Sequence, residues 1–277
     1  MNRPAHWALF PLDLRAHLLL AEGCHPKGVL KARCGHLLPL RCKGNSIKRP
    51  TSSSPDIVVW SEDRLRALQS GLADRFRIIC AVGAGCGLRQ GEILGLSLDD
   101  TDLADMCLHV QRQIRVVGRT LVFALPKGGK KRRVPLSAGV LAAMRVHERA
   151  FPATEITLPW SEPGGKPVTV RLLVTGEGGR MYTGDLFHKV VWQGAFRTSG
   201  LEYRKRADGM HALRHFYAST LLAQGVSIKE LAEYLGHSDP GFTLRTYTHL
   251  VPSSYERARL AIDGVFGPTS ADGLEAA

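Results

Sequence analysis

From residue 57 onward the chain alternates between stretches of helical period and short apolar runs, and their order predicts the architecture. Ser61, Glu62 and Asp63 offer a cap and an acidic first turn, with Leu65 and Leu68 following at helical spacing, so a helix is expected over 61–70. Residues 72–84 continue as a mostly apolar helix that Gly85 and Gly87 should end, and 90–96 reads as a short second helix. Between 106 and 125 Val, Ile and Leu recur with polar interruptions, and Gly118 offers a turn; this is the pattern of strands. Residues 127–131 form another turn, 133–136 return as a short strand, and a helix over 138–149 follows.

The next stretch, 152–184, reads as irregular, with Pro159, Pro163, Gly164 and Gly165 and one strand-like run over 168–175. Helical patterns resume at 185–198 and 211–224. Ser227 and Glu230 have the spacing of a capping box, which predicts a helix over 228–235. Asp239 and Pro240 form a cap and first-turn proline for a short helix reaching Tyr247. Ala258, Leu260, Ile262 and Val265 make 253–265 partly amphipathic. The expected fold class is therefore α+β, mainly helical, with a small antiparallel sheet near its start, spanning 57–266. Upstream, 43–56 (KGNSIKRPTSSSPD) lacks hydrophobic period and reads as a linker. Residues 1–42 read as a short basic segment without a repeated pattern, and 267–277 as a flexible tail.

Composition narrows the function. The 277 residues are 44% hydrophobic and 22% charged, normal for a soluble globular protein. No apolar run has the length of a membrane span, and Asp13, Arg15 and His17 break the opening stretch where a secretory signal would be apolar. A cytoplasmic location is expected. The six cysteines lack the dense spacing of a disulfide framework. His25 and His36 stand near Cys24, Cys34 and Cys42, but these spacings are not those of common zinc sites, so no metal and no cofactor is expected. The net charge is +12, of which +7 falls in residues 1–50, and a second basic cluster gathers at Lys127, Lys130, Lys131, Arg132 and Arg133. Such an excess favours a polyanionic partner, because each neutralised phosphate releases counterions.

Several fragments carry candidate chemistry. His211 and Arg214, three apart near a helix start, share a face and would make an anion site with the positive helix end. His215 is expected to point off that face. Arg89 follows a glycine-rich helix end and can reach into a cleft. The glycines at 83, 85 and 87 do not form a dinucleotide loop, because Leu88 stands where the final glycine should be. Lys127 is expected at the tip of a hairpin, beside Gly128 and Gly129. His237 ends one helix, and Tyr247 follows ten residues later. A phenol with a pKa near 10 is ionised in about one molecule per thousand at neutral pH, so it needs cations or a base to attack phosphorus. Tyr255 is a rival nucleophile, and composition does not choose between the two.

Taken in order, Arg89 in GLRQGEIL, Lys127 in PKGGKKRRVPL, His211 and Arg214 in HALRH, His237 in LGHSDP and Tyr247 in RTYTHL resemble the active-site set of the tyrosine recombinases, the phage integrase family. The resemblance spans about 56–266, and GHSDPGFTLRTYTHLVP is particularly similar to phage integrases of actinobacterial type. It implies a catalytic domain in which Tyr247 is the nucleophile and Tyr255 a tail residue. It implies that Arg89 and Arg214 clamp the scissile phosphate, His237 adds a hydrogen bond, His211 is the base and Lys127 the acid. The implied reaction is site-specific DNA integration and recombination through a 3′-phosphotyrosyl intermediate, independent of metal and ATP. The implied partners are double-stranded DNA at attachment sites, a homotetramer on that DNA, and accessory DNA-bending or directionality proteins.

Members of this type carry a helical core-binding domain before the catalytic one, and the fifty or so residues here do not resemble it. The expectation is a truncated or rearranged chain, set against a clamp supplied from elsewhere. Two other readings follow. One is an integrase remnant that binds DNA without completing recombination. The other is a type IB topoisomerase-like nicking-closing enzyme, against which the LGHSDP and TYTH fragments stand.

Overall fold

The computed structural model describes residues 57–247 and 255–266, all within one unit, Pro55–Ala277. The expected basic segment, linker and flexible tail, with the cysteines and histidines between 24 and 42, lie outside the described residues.

Helices α1 (Glu62–Gly71) and α2 (Asp74–Cys86) open the fold. Ser61 caps α1, its hydroxyl accepting from the Arg64 N–H at 3.2 Å. The largely apolar α2 buries Ile78, Ile79 and Val82 and packs on α7 (His211–Ala223). A Cβ on Gly83 would stand 2.5 Å from Leu213 Cδ1, so this close approach requires glycine. After Gly87 comes the short α3 (Gln90–Leu94).

The strands are β1 (Thr101–Asp102), β2 (Cys107–Val110), β3 (Gln113–Val117), β4 (Thr120–Ala124) and β5 (Arg132–Pro135); beyond α4 (Ala138–Ala150) follow β6 (Thr154–Pro159) and β7 (Pro167–Leu172). They make three small antiparallel sheets where one was expected: β1-β2-β5, the hairpin β3-β4 and the hairpin β6-β7. The last lies inside the stretch read as irregular. Its register ends on Pro159 opposite Pro167, and prolines at both strand ends mask its alternating pattern.

A second correction concerns Lys127. Strands β4 and β5 do not pair with each other, because β5 sets Val134 opposite Leu108 of β2 and both are buried. The turn bearing Lys127 therefore links two sheets and is not the tip of a hairpin.

The second half is helical: α5 (Gly184–Phe187), a π-turn over His188–Trp192, α6 (Gln193–Thr198), then α7, α8 (Ile228–Leu235), α9 (Pro240–Tyr247) and α10 (Tyr255–Phe266). The start of α7 is fixed by Asp208, a fully buried carboxylate. It accepts from Trp60 Nε1 at 2.9 Å, Arg64 Nη2 at 2.8 Å and the Arg204 N–H at 2.8 Å. Its own carbonyl accepts from Trp192 Nε1 at 2.8 Å. These bonds hold the loop leading into His211. Among the described residues no helix is long and apolar enough to cross a membrane.

Candidate active site

Arg89 is the N-cap of α3. Three residues on, Glu92 turns back, accepting from the Arg89 N–H at 2.8 Å and from Arg89 Nη1 at 3.0 Å. Arg132 on β5 completes the group, donating to both Glu92 oxygens at 2.8 and 2.7 Å and to the Tyr234 carbonyl at 2.7 Å. Burial would raise the Glu92 carboxyl, but the hydrogen bonds and charge of Arg132, with those of Arg89, outweigh it and hold it below the ordinary value. The carboxylate orients Arg89 while leaving part of its guanidinium exposed.

Arg214 on α7 is 1% exposed. It donates to the Gly87 carbonyl at 2.8 Å, to the Leu235 carbonyl, and to His237 Nε2 at 3.0 Å. These contacts use three of its five N–H groups. Burial, then the charges of Arg89 and Arg132, push Arg214 down to about 9, so it stays cationic at neutral pH. Because His237 Nε2 accepts, its Nδ1 carries the proton and donates to the buried Thr243 hydroxyl at 2.7 Å. His237 thus braces Arg214, with its ring turned by a residue of α9. Burial, then nearby cations led by Arg214, push it down to about 4.

His211 begins α7 on the exposed side. Partial desolvation, then the charges of Arg214, Arg89 and Lys127, hold its imidazole below the ordinary value. Lys127 is exposed in its turn, where Gly128 and Gly129 have positive φ with open space around them. Tyr247, the last residue of α9, is 1% exposed. Its hydroxyl lies 2.9 Å from His215 Nδ1. Burial raises the phenol above its ordinary value, against the lowering influence of Arg214 and Arg89.

The structure thus brings all six sequence candidates into one electrostatic neighbourhood: Arg89 and Arg214 act on His211, His237 and Tyr247, and Lys127 acts on His211. It also corrects the expectation for His215. Residues 211, 214 and 215 are i, i+3 and i+4, which is one helical stripe, so His215 faces the site. The residue touching the phenol is His215, where His211 was expected. Sequence reasoning also missed Glu92 and Arg132. Glu92 was marked by its place three residues after Arg89. Arg132 was marked by strand alternation, since its side chain is 7% exposed while that of Arg133 is 55% exposed. The rival Tyr255 is exposed, at the start of α10.

One other cluster with metal-ligating side chains occurs among the described residues, Asp102, Cys107 and His109. It shares no residue with the site, and the Cys107 sulfur accepts from Arg133 Nε at 3.2 Å.

A mainly helical domain with small sheets, and an arginine pair beside a buried tyrosine, define a class. The chain belongs to the phage integrase family, whose sequence profile matches residues 62–253. It is 27% identical over 256 residues to a protein named tyrosine recombinase XerC-like from Caldanaerobacter subterraneus subsp. tengcongensis, covering 84% of this chain and 61% of that protein. It is 34% identical over 134 residues to tyrosine recombinase XerD of Rhizobium meliloti, covering 48% of this chain and 38% of that protein. The chain therefore spans between about two fifths and three fifths of the length of these curated relatives. In fold it is similar to the Tn1549 transposon integrase solved with a circular intermediate DNA, at a TM-score of 0.60 and 19% identity, covering 76% of this chain and 67% of that one. It is also similar to the XerA recombinase, at a TM-score of 0.50 and 19% identity, covering 77% and 66%.

Proposed function

We propose that this domain cuts and rejoins DNA as a site-specific recombinase, through a covalent 3′-phosphotyrosyl link at Tyr247. The observation that carries the reading is the Tyr247 hydroxyl, held inside the protein within the field of Arg89 and Arg214. Arg89 and Arg214 would grip the non-bridging oxygens of the scissile phosphate, a geometry that guanidinium forks suit. His211 stands exposed at the start of α7, and His237 keeps Arg214 in place. Lys127, on its glycine turn, protonates the departing 5′-oxygen. The phosphotyrosyl bond keeps the energy of the broken phosphodiester, so a 5′-hydroxyl reverses the step without ATP.

The partner is double-stranded DNA in the cytoplasm, carrying an attachment site. A tetramer on that DNA is favoured by α10, where Leu260, Ile262, Val265 and Phe266 are exposed and apolar and would be covered by a neighbouring copy. Accessory DNA-bending or directionality proteins remain part of the proposal.

The test is a nicked duplex that traps the covalent adduct on a denaturing gel. Adduct formation is expected to vanish with Tyr247→Phe and to survive Tyr255→Phe and EDTA. The opposite tyrosine dependence would overturn the assignment. DNA binding without any adduct would favour the binding-only reading, and adducts that never pass to a supplied 5′-hydroxyl strand would favour the topoisomerase-like one.

A further inference from the structure

The phenolic proton of Tyr247 has to leave as its oxygen attacks, and the side chain touching that oxygen comes from the interior of α7. His215 Nδ1 lies 2.9 Å from Tyr247 Oη, with the ring centroids 5.6 Å apart. The contact is sheltered, since Tyr247 is almost wholly buried and His215 half-buried. His211, which is exposed, packs edge-on against His215 at 5.0 Å between ring centroids. The groups facing His215 are His211 and Arg214 from its own helix and Tyr247 from α9; Arg89 and Lys127 act on His211. Burial, then His211 and Arg214, push His215 down to about 4, so at neutral pH its ring is uncharged and Nδ1 can present a lone pair to the phenol.

We infer that His215 is the catalytic base that takes the proton from Tyr247. The inference rests on Tyr247 being the nucleophile and deepens that reading. As the Oη–P bond forms, the O–H bond breaks; its electron pair stays on oxygen and the proton passes to Nδ1. The P–O5′ bond breaks with its pair on the leaving oxygen, which takes a proton from Lys127. On rejoining, the imidazolium returns its proton to the departing phenolate. A phosphodiester in the site brings negative charge beside Arg214 and His211. It offsets the charges that depress His215, so proton affinity rises when DNA is bound.

The discriminating variant is His215→Asn, whose side-chain oxygen can accept the phenol hydrogen bond but cannot carry the proton. Nicked duplexes with randomised cores serve as the probe, and members recovered as adducts with the full chain become the substrate. His215→Asn is expected to slow adduct formation about 100-fold or more. The loss should be the same when the scissile 5′-oxygen is replaced by sulfur. Lys127→Ala, by contrast, should recover on the sulfur substrate, because a thiolate departs without a proton. The His215→Asn rate should climb about tenfold per pH unit above neutrality, as the phenol must ionise unaided.

A His215→Asn rate within about threefold of the wild-type rate, or recovery on sulfur, would overturn the inference; the same signature appearing in His211→Asn would do so too. If His215→Asn does not fold, the contact is read in intact protein carrying ¹⁵N-histidine. There Tyr247→Phe should move the His215 Nδ1 resonance, and an unmoved resonance would overturn the inference. Adducts that persist in Tyr247→Phe, or no adduct from any duplex, sink the nucleophile reading. Adducts that need Tyr247 but not His215 sink only the base.

Discussion

Glu92 holds two arginines in place with one carboxylate, and its side chain is fully buried while that of Arg132 is 7% exposed. Replacing it with the isosteric Glu92→Gln keeps the shape but leaves Arg132, Arg89 and Arg214 facing one another without a counter-charge. Loss of one partner from a buried pair costs about 3–5 kcal/mol, and urea unfolding of the variant should show a loss of that size; an unchanged midpoint would mean the pair is dispensable. Protonation acts on the same residues. His215 and His237 are both pushed down to about 4 in the fold from an ordinary 6.5, chiefly by burial and also by Arg214. The native state therefore binds fewer protons than the unfolded chain between these values. This stability is complete above the unfolded value and is lost as pH falls from about 6.5 towards about 4. The urea midpoint should drop between pH 7.5 and pH 5, and a flat profile would contradict the buried, neutral rings.

Among the elements, α7 does most to assemble the site, because consecutive positions on it reach different partners. Arg214 points to the end of α2 and to α8, and His215 to α9. The α2 end is a left-handed Gly87 with φ +62°, whose added Cβ would lie 2.4 Å from the Tyr217 ring. Gly87→Ala is expected to cost about 1–3 kcal/mol from backbone strain alone, and to shift the carbonyl that anchors Arg214. DNA cleavage should fall more than stability does, and a variant with unchanged cleavage would show that this anchor does not matter.

These elements were legible to different degrees. The capping box at Ser227 and Glu230 placed α8 over its observed span, and Asp239 with Pro240 placed α9, because both signals are local. The β6-β7 hairpin stayed hidden behind its prolines. The partnering of β5 with β2 depends on contacts between residues far apart in sequence, which no local pattern encodes. The same holds for Glu92 and Arg132, forty positions apart and joined only in the fold.

On the scale of the whole molecule, distant stretches of chain meet in one electrostatic neighbourhood: Arg89 after α2, Lys127 between two sheets, the α7 stripe, His237 after α8 and Tyr247 closing α9. Burial favours the protonated phenol of Tyr247, the Glu92 carboxylate orients Arg89, and His215 Nδ1 lies 2.9 Å from the phenolic oxygen. Arg89, Arg132 and Arg214 surround Glu92, so the neighbourhood carries a net positive charge, which favours an anionic partner. The most direct measurement is mass spectrometry of the trapped adduct after nuclease trimming and trypsin. The residual nucleotide is expected on the peptide that begins after Arg245, with fragmentation placing it on Tyr247. A nucleotide on Tyr255, or on any other side chain, would contradict it.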